Sequence, residues 1–231
     1  MLLTCGGQGL NDMSETPIRF PLLDKIYQEY LEHENSAEFI RLVSASYNIG
    51  SICRLAEFGQ TISRRAAVLT IGFLGNYSQN EIMGRALTDS DRAVRMLADH
   101  GIRDIWGRQG SPAHQAAIER IYQLISRHRM HEAIEIANQI LSEDETISEA
   151  WSQRAIALCA EGDVVGAVED CCEALNCNRY HFPAAVGMAH CCLQLDDMSG
   201  ALSGFRLALE INPDLEDVRT HVHQLERKLE N

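Results

Sequence analysis

Apolar side chains recur along this chain with a helical period. Leu22, Leu23, Ile26, Tyr27, Tyr30 and Leu31 form one stripe and Phe39, Ile40, Leu42 and Val43 a second. Steps of three and four residues place such sets on single helix faces, so the spacing predicts a helical pair near the start of the chain. Ser36 stands where a side-chain cap for the second helix is expected. At the other end, Leu215, Val218, Val222, Leu225 and Leu229 share one stripe, while Glu216, Asp217, Arg219, Glu226, Arg227 and Lys228 share the opposite one. That pattern predicts a terminal helix over 214–231 with one dry and one wet face. Strands need alternating Val, Ile and Thr, which are scarce here. Ala, Leu, Glu, Arg and Gln fill long stretches, and only five prolines interrupt them. The pattern is that of an all-α chain.

Between these ends the sequence repeats itself. Ala133, Ala167 and Ala201 stand 34 residues apart, and the same step links Leu124–Leu158–Cys192, Ala137–Cys171–Phe205, Ile140–Ala174–Ala208 and Leu141–Leu175–Leu209. Small residues in fixed columns have a physical use, because two helices cross closely only where side chains are small. Ala155 and Ala189 in first helices are thereby expected to face Ala167 and Ala201 in second helices. A 34-residue helix–turn–helix unit with Ala201, Phe205, Ala208 and Pro213, preceded by Trp151, Ala155, Gly162, Ala167 and Ala174, resembles the tetratricopeptide repeat (TPR). The resemblance covers about 114–215 and gives units at 114–147, 148–181 and 182–215, with the terminal helix as the solvating cap that such arrays require. Ile121, Ile140 and Cys171 depart from the usual residue types.

Upstream, residues 63–75 read Ser-Arg-Arg-Ala-Ala-Val-Leu-Thr-Ile-Gly-Phe-Leu-Gly and residues 87–98 read Leu-Thr-Asp-Ser-Asp-Arg-Ala-Val-Arg-Met-Leu-Ala, with Arg65 and Arg95 aligned 30 residues apart. Over about 48–106 this resembles HEAT repeats, in which an Asp caps a helix and pairs with the Arg of a neighbouring repeat; Gly59 stands where the first copy lacks its Asp. Gly107-Arg108-Gln109-Gly110-Ser111-Pro112 combines two glycines with a Ser cap and a first-turn Pro, which predicts a break. The expected organisation is a disordered leader at 1–20, a HEAT-like block at 21–106, a linker at 107–112 and a TPR domain at 113–231. Together these imply an α-solenoid of stacked antiparallel helix pairs.

Charge narrows the function. The formal net charge is −13, with 10 basic and 13 acidic residues up to position 106 and 10 and 20 after it. Such a field repels phosphate backbones and anionic lipid, and the acidic half favours a basic partner. No apolar run approaches the roughly 18 to 20 residues that cross a bilayer. Eight cysteines without a secretory signal suggest reduced thiols in the cytoplasm.

Chemistry is harder to find. Six cysteines fall between Cys159 and Cys192, with His181 and His190 nearby. No Cys-x-x-Cys pair is present, and Cys171 and Cys192 occupy repeat columns, so these thiols are expected to pack as small hydrophobes and to hold no metal. His33-Glu34 and His131-Glu132 are similar to the iron-ligating pairs of HEAT-type hydroxylases, but they occupy non-equivalent positions. Nucleophile elbows and phosphate-binding glycine loops are absent. The expectation is therefore a non-catalytic, cofactor-free adaptor or scaffold.

By the TPR resemblance, its ligand surface is the concave groove of the first helices. The expected groove residues are Ile118, Tyr122, Glu149, Ser152, Gln153, Ile156, Val186, His190 and Gln194. This set contains no Lys, Arg or Asn, so the carboxylate clamp of TPR co-chaperones is not matched. A mixed apolar and amide groove suits an extended peptide or an amphipathic helix of a protein partner. The alternative is a HEAT-type enzyme or nucleic-acid-binding protein using Arg64, Arg65, Arg92, Arg95 and Arg103.

Overall fold

The computed structural model describes residues 21–230, so the expected leader lies outside the described residues. Among the described residues there are thirteen α-helices and no strand. The first six are α1 (Leu22–His33), α2 (Ser36–Ser46), α3 (Ile49–Phe58), α4 (Thr61–Leu74), α5 (Asn80–Ala86) and α6 (Arg92–Gly107), with one 3-10 turn at Tyr77–Gln79. Then come α7 (Pro112–Ser126), α8 (Met130–Glu143), α9 (Ser148–Glu161), α10 (Val164–Cys177), α11 (Phe182–Gln194), α12 (Met198–Ile211) and α13 (Glu216–Leu229).

Helices α7 to α12 form three stacked pairs in the expected register. Ala155 and Ala167 share one core with Cys171 and Ala174, and Ala189 and Ala201 share another with Phe205 and Ala208. At Gly204 the α11 backbone approaches so closely that an added Cβ would lie 3.0 Å from that of Ala189. Two further 34-residue columns carry turn geometry. His128, Gly162 and Asp196, one in each turn between paired helices, all adopt positive φ. Asp144, Asn178 and Asn212, one in each loop between units, accept from the backbone N–H two residues on, at Thr146, Tyr180 and Asp214. These Asx turns offer the chain an exit from one helix before the next begins.

The upstream block uses larger side chains. Leu23, Phe39, Val43, Ile52, Val68, Ile71, Met83, Val94, Ile102 and Trp106 bury into one core. One close crossing exists there too: a Cβ on Gly101 of α6 would fall 2.8 Å from the Gly72 Cα of α4. The cap of α2 is Asn35, whose side chain accepts from the Glu38 N–H at 3.1 Å, rather than Ser36. Ser36 already has helical geometry, and the longer Asn side chain one residue earlier makes the bond. Asp91 caps α6 by accepting from Val94 N at 3.0 Å and also holds the Arg65 fork at 2.6 and 2.8 Å. The neighbouring Arg64 and Asp89 repeat the two-bonded arrangement at 2.8 and 2.9 Å. Hydrogen bonding to Arg65, set against a smaller burial effect, holds the Asp91 carboxyl down at about 2.

Arg95, the counterpart of Arg65, reaches beyond its own block to Asp214 at 2.9 and 3.1 Å. It belongs to a seam in which α6 runs along the inter-unit loops of α7 to α12. Asp99 accepts from the Asn212 amide at 2.8 Å, Trp106 stacks on His181 with centroids 4.4 Å apart, and Gln109 donates to the Thr146 carbonyl at 2.8 Å. Asn80 extends this seam by donating to Asn178 while accepting from the Trp106 indole. Gly84 lies under the Tyr180 ring, where any Cβ would overlap it. Phe182 and Ile211 of the repeats join the upstream core. In the expected linker, α6 continues to Gly107, Gln109 is buried, and Ser111 caps α7 with Pro112 in its first turn.

Candidate functional site

The first helices of the three pairs, α7, α9 and α11, and then α13, line a groove whose rim is formed by α6. Two cavities open along it. One, of about 400 Å³, is bounded by Tyr122, Glu149, Ser152, Gln153, Ile156 and Pro183, with Arg103, Asp104 and Trp106 contributed by α6. The other, of about 600 Å³, lies between α11 and α13 and is lined by Phe182, Pro183, Val186, His190 and the 214–221 segment, again with Arg103. Arg103 and Pro183 thus separate two compartments of one groove. The Arg103 guanidinium lies 4.6 Å above the Phe182 ring, where the ring face attracts it, and 3.6 Å from Asp99.

Beneath the first compartment sits a buried polar cluster. Glu149 Oε1 accepts from the Tyr122 hydroxyl at 2.8 Å and from Gln153 Nε2 at 2.7 Å, and its Oε2 lies 3.0 Å from His181 Nε2. Geometry sets the histidine tautomer. His181 Nδ1 accepts the Ala184 N–H at 3.2 Å as the cap of α11, so the proton belongs on Nε2 and is donated to Glu149. Burial pushes the Glu149 carboxyl up, but bonds from His181, Tyr122 and Gln153 outweigh it and leave the group below its ordinary range. Burial and then the Glu149 charge drive the Tyr122 phenol upward, so it remains a donor.

The nine expected groove residues separate into three sets. Ile118 is 1% exposed and packs in the core of the first pair, while Glu149 and Ser152 are also buried. Tyr122, Gln153 and Val186 are partly covered and line the compartments. Ile156, His190 and Gln194 are exposed, and Gln194 donates to Cys159 Sγ at 3.4 Å. The structure therefore brings Tyr122, Glu149, Ser152, Gln153 and Ile156 together at one compartment and Val186 and His190 at the other.

No known family model matches this chain, and no curated protein matches it. Solved structures do. The type III secretion translocator chaperone SycD of Yersinia enterocolitica superposes with a TM-score of 0.50 at 15% identity, covering 57% of this chain and 95% of that one. A second SycD structure, an alternative dimer, also gives 0.50 at 16% identity, covering 53% and 98%. The first TPR of Spaghetti (RPAP3) gives 0.48 at 18% identity over 50% and 92%. The fold is an α-solenoid of the tetratricopeptide type.

Arg103, Asp104 and Trp106 were invisible as groove residues in the sequence, because nothing in local patterning says that α6 will lie beside α9 and α11. His181 did leave a signal. Its 34-residue column reads Ile147, His181, Leu215, all three at helix caps, and one imidazole among aliphatic residues marks a polar partner nearby. Among the described residues no group of three or more His, Cys, Asp or Glu is placed to hold a metal ion. Burial pushes the Cys171 and Cys191 thiols up to about 12, which suppresses the reactive thiolate. No helix of the described residues is long and apolar enough to cross a membrane.

Proposed function

We propose that this chain is a non-catalytic adaptor that receives a segment of a partner protein in the groove between α6 and the first helices of the repeats. The observation that supports this best is the pair of compartments meeting at Arg103 and Pro183, with Ile156, Val186 and His190 accessible along them. A concave, largely apolar surface with a few fixed polar groups is the usual form of a peptide-recognition groove. The upstream helices α3 to α6 are read as HEAT-like on the strength of the Arg65–Asp91 ladder. Eight cysteines in the sequence, the seven among the described residues all unpaired, favour the cytoplasm as its compartment.

The nucleic-acid alternative loses its main residues, since Arg64, Arg65 and Arg95 are each held by a carboxylate. Affinity purification followed by isothermal titration tests the adaptor reading. Ile156→Asp and Val186→Asp are expected to weaken partner binding by more than about tenfold, with helicity unchanged by circular dichroism. Wild-type affinity in both variants would move the binding surface elsewhere.

A further inference from the structure

The α11–α13 compartment has a chemistry of its own. Its floor is Phe182, Val186, Leu215 and Val218, and its rim carries Asp214, Glu216 and Asp217 from the start of α13. Two of those carboxylates are engaged: Asp214 holds Arg95, and Glu216 meets Arg219 at 3.1 Å. Asp217 is exposed and has no ion-pair or hydrogen-bond partner among the described residues. Two imidazoles share the compartment, His190 from α11 and His221 one turn beyond Asp217 on α13. His221 stacks on Phe205 at 5.1 Å with planes 10° apart, and His190 meets both rings edge-on at 5.1 and 5.5 Å.

The cations near the rim are all engaged: Arg95 and Arg219 by Asp214 and Glu216, and Arg103 by the Phe182 face and Asp99. An incoming carboxylate would compete with Asp99 and then meet Asp217. An incoming cation would meet an unpaired carboxylate beside an apolar floor. We propose that this compartment receives a lysine or arginine side chain of an extended partner segment in which basic and apolar residues alternate. Alternation matches the site, because successive side chains of an extended segment point to opposite sides, one onto the apolar floor and the next toward the rim. Burial, and then the adjacent His221, hold His190 below its ordinary protonation range, so it stays neutral at pH 7 and does not oppose the cation. The field of the acidic C-terminal half, with 20 acidic against 10 basic residues after position 106, adds steering toward the same kind of partner.

This rests on the groove reading, and the test separates the two. Fluorescence anisotropy would compare labelled peptides of about 12 residues in which leucine alternates with lysine, glutamate or serine. The leucine–lysine peptide is expected to bind wild-type protein about tenfold tighter than the serine peptide, with the glutamate peptide weakest. Asp217→Lys should remove most of that preference. Glu135→Lys, the same charge change on an exposed site of α8, should shift affinity by no more than about twofold, which discounts general attraction to an acidic protein. Equal or tighter binding of the glutamate peptide, no binding of any peptide, or indifference to Asp217→Lys would overturn the proposal. If a natural partner is lost on Val186→Asp yet ignores Asp217→Lys, the groove reading stands and this one fails.

Discussion

Two halves of this molecule solve the same problem, how to bury helix faces, by different means. From α9 to α12 the crossings are lined by Ala155, Ala167, Ala174, Ala189 and Ala201, so backbones come close, while the first pair keeps Ala133 and Ala137 among Ile118, Ile121 and Ile140. From α1 to α6 the core is filled by Phe39, Ile71, Met83, Ile102 and Trp106, and adjacent helices are tied by the Arg64–Asp89 and Arg65–Asp91 pairs. The first solution imposes a strict period. The second tolerates irregular helix lengths, because large side chains fill whatever space the crossing leaves. What the contrast teaches is that regularity belongs to small-residue packing, and that the irregular half can adapt its shape to the regular one.

The sharpest way to break the contrast is at the seam. Trp106 is 1% exposed and belongs to the upstream core while stacking on His181 of the repeats, so Trp106→Ala should cost about 3 to 5 kcal/mol. Thermal denaturation would then show two transitions where the wild type shows one; a single transition with unchanged midpoint would mean the halves are not coupled through this ring.

Next is Glu149→Ala, which leaves the His181, Tyr122 and Gln153 donors facing nothing and should cost about 3 kcal/mol, read by urea denaturation. The same carboxyl sets an acid limit. Its folded pKa lies below its unfolded value of roughly 4.3, so its contribution is complete above that value and is lost as pH falls through the folded pKa. A melting temperature that declines below about pH 4.5 in the wild type, and much less in Glu149→Gln, is the expected outcome.

Ala201→Leu tests the regular half alone. Overpacking a fully buried crossing should cost about 2 kcal/mol, and the matched Val68→Leu in the upstream core should cost less, because larger neighbours there can rearrange. The smallest effect is expected for Arg65→Ala, about 1 kcal/mol or less, since the Arg65 side chain is 35% exposed and water screens the pair. Equal losses at Ala201 and Val68 would erase the distinction between the halves.

The same distinction governs what the sequence made legible. The units, their small-residue contacts and the terminal helix could be read directly, because each is fixed by residues within one 34-residue period. Leu229 was expected on the dry stripe and is 46% exposed, since it ends α13 beyond the last helix that could cover it. The groove was legible only in part. Position within a first helix identified Tyr122, Gln153, Ile156, Val186 and His190 as groove-lining. It could not say that Ile118 packs inward or that Glu149 is buried under three donors. Nor could it supply Arg103 and Asp104, which depend on a seam held by contacts across 37 to 119 residues of chain, from Gln109 with Thr146 to Arg95 with Asp214. Local pattern encodes a helix and its face; it does not encode which distant loop that face will meet.

Helix α6 and the residues just beyond it meet the loop after each pair in turn, at Gln109, at Trp106 and at Asp99 with Arg95. With a rise of about 1.5 Å per residue, the span from Arg95 to Trp106 is about 16 Å, so a rigid rod is laid against loops that would otherwise be free to spread or close. In stacked arrays each helix pair ordinarily contacts only its neighbours, so nothing outside the stack fixes their spacing. Here the rod acts as a splint with three fixed rungs. An array held this way is expected to extend less than one without the rod, and a fourth unit among the three would need a longer α6 to reach it.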